Sequence, residues 1–147
     1  MPNYRRRFVQ GGCWFFTVNL LDRRTSLLTD NIDILRDATR RTMQSHPFRI
    51  EAFVVLPDHL HAIWTLPPDD ADFSTRWRLI KARFARAIPK GERLSPTRAA
   101  RGERGIWQRR FWEHLIRDEI DFGRYVVYCA INPVKHGFVR GAIDWPH

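Results

Sequence analysis

The stretch Phe53–Leu66, FVVLPDHLHAIWTL, constrains the chain more than any other. It is rich in β-branched and apolar residues on both sides of Pro57-Asp58, a dipeptide that starts turns. It reads as strand, tight turn, strand. Side chains two apart on a strand share a face. His59 and His61 therefore stand side by side, with Leu60, Ala62, Trp64 and Leu66 on the opposite, apolar face. Two neighbouring imidazoles make half of a metal site, or they are simply two solvated polar residues. The spacing alone admits both.

The other elements follow in order. Residues 13–20, CWFFTVNL, alternate, with Trp14, Phe16, Val18 and Leu20 on one face and Cys13, Phe15, Thr17 and Asn19 on the other. Thr29 or Asp30 caps a helix to about Gln44, with Ile34, Leu35, Ala38 and Met43 inward and Pro47 ending it. The hairpin pairs 49–56 with 59–66. Asp72 caps a second helix over 73–88, with Phe73, Trp77, Ile80 and Phe84 at helical spacing. Residues 89–105 hold Gly, Pro and Arg with little apolar matter and read as a loop. Residues 111–116 read as a strand. Asp118 caps a third helix to about Ile131, where Asn132-Pro133 stops it.

The order β-α-β-β-α-β plus a helix defines an α+β, ferredoxin-like fold. This is an antiparallel four-stranded sheet with helices on one side and an additional C-terminal helix carrying the tyrosines. No repeat or linker argues for a second domain, so residues 1–147 read as one. The other face of the sheet is left free to bind, and the histidines point to it.

Composition narrows the function. Hydrophobic residues make up 44% and aromatics 13%, too many for a disordered chain. No apolar run approaches the ~20 residues of a membrane span, and MPNYRRRFVQGG has no apolar core of a signal peptide. Cys13 and Cys129 are the only cysteines, which reads as two reduced thiols in a cytoplasm. The net charge is +9, and its surplus is local. From Arg76 to Arg117 there are 13 basic and 3 acidic residues, against 12 and 13 elsewhere, and 11 of those 13 are Arg. The forked guanidinium suits phosphate. Interleaved Trp77, Phe84, Trp107, Phe111 and Trp112 suit single-stranded nucleic acid, through backbone attraction and base stacking. The competing account makes these aromatics core and the arginines a solvated face. The candidate DNA contacts are Arg5, Arg6, Arg76, Arg78, Lys81, Arg83, Arg109 and Arg110.

The third helix carries Tyr125 and Tyr128, and Tyr128 shares a face with Asn132, four residues on. A phenol beside a bound divalent cation can attack a phosphodiester, leaving a 5′-phosphotyrosine and a free 3′-hydroxyl. A tyrosine in an amphipathic helix is as readily a boundary residue with a satisfied hydroxyl.

The segments VVLPDHLHAIW, FWEHLIRD and YVVYCAINPVKHGFV resemble the REP-associated tyrosine transposases, a group of the single-tyrosine HUH insertion-sequence transposases. The resemblance runs from Tyr4-Arg5-Arg6 to DWP, the loop before Trp107 excepted. It implies that His59, His61 and Asn132 bind Mg2+ or Mn2+ and that Tyr128 is the nucleophile. It implies a single-stranded DNA endonuclease and strand transferase acting at hairpins of repetitive extragenic palindromes. The protein would work as a monomer in the cytoplasm, associated with the nucleoid. Family members continue past DWP, so the chain ending at His147 reads as lacking their C-terminal tail. Two other readings compete: a hairpin-binding module that no longer cuts, and a replication initiator or relaxase with the same chemistry. The filled active-site positions weigh against the first and the family pattern against the second.

Overall fold

The structure, a computed structural model, describes residues 9–89, 105–139, 141 and 145–147. The period-two stretches become strands and the capped apolar stripes become helices. In chain order these are β1 (Cys13–Asn19), α1 (Leu27–Asp30), α2 (Ile32–Ser45), β2 (Arg49–Val55), β3 (His59–Thr65), α3 (Phe73–Ala87), β4 (Trp112–Leu115) and α4 (Glu119–Lys135). The four strands form one antiparallel sheet in the order β2-β3-β1-β4. That order is the ferredoxin-like one expected. It places the histidine strand inside the sheet, paired on both sides.

One face of the sheet buries Trp14, Phe16 and Val18 of β1 and Leu60, Ala62 and Trp64 of β3. They pack against Leu35 and Ala38 of α2 and Phe73, Trp77, Ile80 and Phe84 of α3. Each of the larger of these aliphatic and phenyl side chains contributes about 1.5–3 kcal/mol by leaving water. The helix caps act as the sequence suggests. Asp72 accepts from the Thr75 N–H at 3.0 Å and Asp118 from the Asp121 N–H at 2.8 Å.

The structure corrects several expectations. Helices cover both faces, not one. Phe15, Val54, Leu56 and Ile63 form a second apolar cluster with Cys129, against Phe122, Tyr125, Val126 and Tyr128 of α4. The first helical region breaks at Asn31 into α1 and α2, the Asn31 amide donating to the Leu27 carbonyl. Pro133 does not stop α4, which carries it internally and runs on to Lys135. A proline loses its own N–H bond to the carbonyl four residues back and crowds that carbonyl, but the turn that follows still closes, His136 N–H reaching the Asn132 carbonyl at 3.1 Å. Among the described residues, no helix is long and apolar enough to cross a membrane.

Candidate active site

The site starts from strand register. Thr17 of β1 lies opposite His61 of β3, and Asn19 opposite His59. Opposed residues share a face, so both imidazoles stand over the side of the sheet that α4 occupies. They are buried, with ring centroids 5.0 Å apart and planes at 82°.

Each imidazole has its Nδ1 engaged. His59 Nδ1 lies 2.8 Å from Asp58 Oδ1. A carboxylate only accepts, so Nδ1 carries the proton and Nε2 the lone pair. Asp58 is itself held by Arg23. Burial works against its charge, but the hydrogen bonds from Arg23 and His59 prevail and hold its carboxyl below the usual range. His61 Nδ1 lies 2.8 Å from Thr17 Oγ1. The tautomer that donates there likewise leaves the lone pair on Nε2. Burial lowers the basicity of both rings. With the neighbouring cationic groups it takes His61 down to about 3, and in His59 it outweighs the opposing pull of Asp58. Both rings are neutral at neutral pH, the form that binds metal.

Helix α4 delivers the other half. The Tyr128 ring lies 5.1 Å from the His61 ring, edge to face at 76°. Phe15 touches both, at 5.7 Å from Tyr128 and 5.5 Å from His61. Tyr125, the other candidate, packs instead on His114 and Phe15, at 4.7 and 4.5 Å. Asn132, one turn beyond Tyr128, is fully buried. The extra turn past Pro133 sets Lys135 Nζ 5.3 Å from the Tyr128 ring centre and the His136 ring 5.3 Å from that of His59. At its start, α4 is tied to β4 through Asp121, whose carboxylate takes the His114 ring N–H at 2.9 Å and the Arg117 backbone N–H at 3.0 Å.

The buried polar atoms test whether these residues suit a cation. His61 Nε2 and both amide atoms of Asn132 lie out of water with no hydrogen-bond partner. Leaving such a group unsatisfied costs about 1–3 kcal/mol. Two imidazole nitrogens and an amide oxygen could hold a divalent ion, which would engage His61 Nε2 and Asn132 Oδ1 but not the Asn132 Nδ2 donor. No group of three or more His, Cys, Asp or Glu able to hold a metal forms among the described residues. His59, His61 and Asn132 are neutral donors, and the nearest carboxylate the site offers, Asp58, is hydrogen-bonded behind His59.

The expected DNA contacts fare unevenly. Arg5 and Arg6 lie outside the described residues. Arg76 is a correction, being 1% exposed with every donor engaged inside the protein. Its guanidinium pairs with both Asp70 oxygens at 3.1 and 2.8 Å and donates to the carbonyls of His46, Pro47 and Asp72. Arg83 donates to Thr42 Oγ1, and Lys81 to the Gln108 carbonyl, both at 2.8 Å. Arg78, Arg109 and Arg110 are exposed. Of the aromatics proposed to stack, Trp77, Phe84 and Trp107 are core, Phe111 is half-buried, and Trp112 is exposed. Sequence reasoning did not single out Thr17, Asp58, Lys135 or His136 as part of the site. The sequence does signal two of them: Asp58 directly precedes the first histidine, and Thr17 is a polar residue within an aromatic strand.

This chain is similar to proteins of the transposase class. It is 49% identical over 146 residues to the REP-associated tyrosine transposase of Escherichia coli (strain K12), covering 99% of this chain and 81% of the relative. A relative from Haemophilus influenzae (strain ATCC 51907 / DSM 11121 / KW20 / Rd) is 46% identical over 148 residues, covering 100% of this chain and 84% of its own. A solved structure of the REP-associated tyrosine transposase bound to a REP hairpin matches with a TM-score of 0.84, at 49% identity, over 99% of this chain and 81% of that one. A Deinococcus radiodurans chain at 17% identity and a TM-score of 0.54, covering 86% of this chain and 95% of its own, shares the fold. No protein-family model matches. The chain belongs to the REP-associated tyrosine transposases.

Proposed function

We propose that this protein cuts and rejoins single-stranded DNA beside hairpins of repetitive extragenic palindromes, through a covalent tyrosine intermediate. The observation that carries the reading is Tyr128 lying edge-on to His61, whose Nε2 is buried without a partner, as are the amide atoms of Asn132. His59, His61 and Asn132 would hold Mg2+ or Mn2+. The ion would supply charge to draw electron density from a non-bridging phosphate oxygen. Tyr128 Oη attacks phosphorus, the P–O3′ bond breaks, the phenol proton is released, and the departing 3′ oxygen takes up a proton. The 5′ phosphate stays on the tyrosine. Attack by a 3′-hydroxyl reverses the step without an energy source, because the phosphodiester bond is exchanged and not hydrolysed. Lys135 Nζ lies 5.3 Å from the centre of the Tyr128 ring, where its positive charge favours the approach of an anionic phosphate. The family relative bound to a REP hairpin supports the substrate class.

The test is direct. A labelled hairpin with single-stranded flanks, incubated with the protein and Mn2+, gives an adduct that survives denaturing electrophoresis. Tyr128→Phe abolishes it. If that variant cleaves as the parent does, Tyr128 is not the nucleophile.

A further inference from the structure

We propose that Trp112 is a stacking platform for an unpaired nucleobase next to the cleaved phosphodiester. This rests on the reading above and adds to it a residue that positions the single-stranded flank of the hairpin. Five of the six tryptophans serve the interior. Trp14, Trp64, Trp77 and Trp107 are buried, and Trp145 donates its indole N–H to the Val55 carbonyl at 2.9 Å. Trp112 is 49% exposed on strand β4, at the sheet's edge.

Its position points at the site. Thr17 lies opposite His61 on one side and opposite Trp112 on the other. His61, Thr17 and Trp112 therefore form one row across three strands, on one face of the sheet. The Phe15 ring touches Trp112 at 5.8 Å and Tyr128 at 5.7 Å, so a single phenyl ring separates the indole from the nucleophile. The indole lies parallel to His114 within 9°, and Asp121 fixes that imidazole in place. Exposed Arg109 and Arg110 precede Trp112, and the Arg117 side chain, 73% exposed, follows the strand.

An exposed indole flanked by cations fits a ligand that is both flat and anionic. Bases within a duplex stem stack on each other. An unpaired base beside the stem has a free face, which makes a single strand the occupant favoured over a stem or an apolar protein surface.

The experiment measures binding in EDTA, so that no cleavage intervenes. Three fluorescent DNA hairpins share one stem: one with a short 5′ single-stranded flank, one with the same flank at its 3′ end, and one blunt. Trp112→Ala is expected to weaken at least one flanked hairpin by about 5- to 150-fold, the range for loss of one stacked base, and to leave the blunt hairpin unchanged. Trp112→Phe restores most of the loss. Trp112→Leu, apolar but without a π face, keeps the strand packed and does not restore it. An abasic flank removes the sensitivity to Trp112→Ala. Equal binding of parent and Trp112→Ala to both flanked probes overturns the proposal, as does an equal loss on the blunt hairpin or full rescue by Leu. Cleavage by Tyr128→Phe would sink the nucleophile assignment while leaving this binding result intact, so the two readings fail separately.

Discussion

Asp58 touches no DNA in this scheme, yet it decides what His59 can do. Its carboxylate fixes the imidazole proton on Nδ1 and so directs the lone pair outward from Nε2. In Asp58→Asn the amide can donate or accept, and that choice is lost. Apparent Mn2+ affinity, read from cleavage against Mn2+ concentration, should fall about 10- to 100-fold while thermal unfolding stays near that of the parent. Arg76 teaches the opposite lesson about charge. It sits amid a basic stretch, and only its environment separates it from a DNA-binding arginine. Arg76→Ala leaves the Asp70 carboxylate and three carbonyls without their donor, and should cost about 3–5 kcal/mol in urea unfolding. Affinity per folded molecule should hold. The Arg76 hydrogen bonds hold the Asp70 carboxyl down at about 2. A depressed carboxyl stabilises the fold fully above its ordinary value of 3.8 and loses that contribution as pH falls toward 2. The parent should therefore lose more stability than Asp70→Asn across that acid window, a comparison that acid titrations of unfolding can make.

The elements were legible where one period dominates. Alternation in CWFFTVNL and in the histidine hairpin yields the two central strands to within a residue, and Asp72 and Asp118 mark helix starts correctly. Asp118→Ala should destabilise by about 0.5–2 kcal/mol in the same urea assay, since it leaves the Asp121 N–H without its cap. What the pattern hid has physical reasons. Helix α4 is apolar nearly all round: Phe122, Tyr125 and Val126 pack on the sheet, while Ile120, Val127 and Ile131 face out. No single stripe therefore announced that it covers the second face. Pro133 reads as a stop because its missing N–H is visible in sequence, whereas the packing that tolerates it is not. The histidine pair, Tyr128 and Asn132 were each legible as residues, but that the phenol meets His61 depends on how α4 lies across the sheet.

At the scale of the whole molecule, the sheet is a partition. The histidine pair, Tyr128 and Trp112 lie on one side, and α3 with its cations lies on the other. Arg78 therefore contributes to the overall positive field more than to the proposed reacting centre. Binding of single-stranded DNA should weaken with salt, with a log–log slope of roughly −0.7 for each phosphate contacted. Fluorescence anisotropy across a salt series reads that slope directly, and a flat response would rule out an electrostatic track.

Strand β3 has a hydrogen-bonded neighbour on each side, whereas α4 lies on the sheet by a single flank. The two halves of the proposed reacting centre are thus mounted on parts held in different ways. Whatever is joined to the phenol oxygen rides with the helix, and whatever the imidazoles grasp stays with the frame.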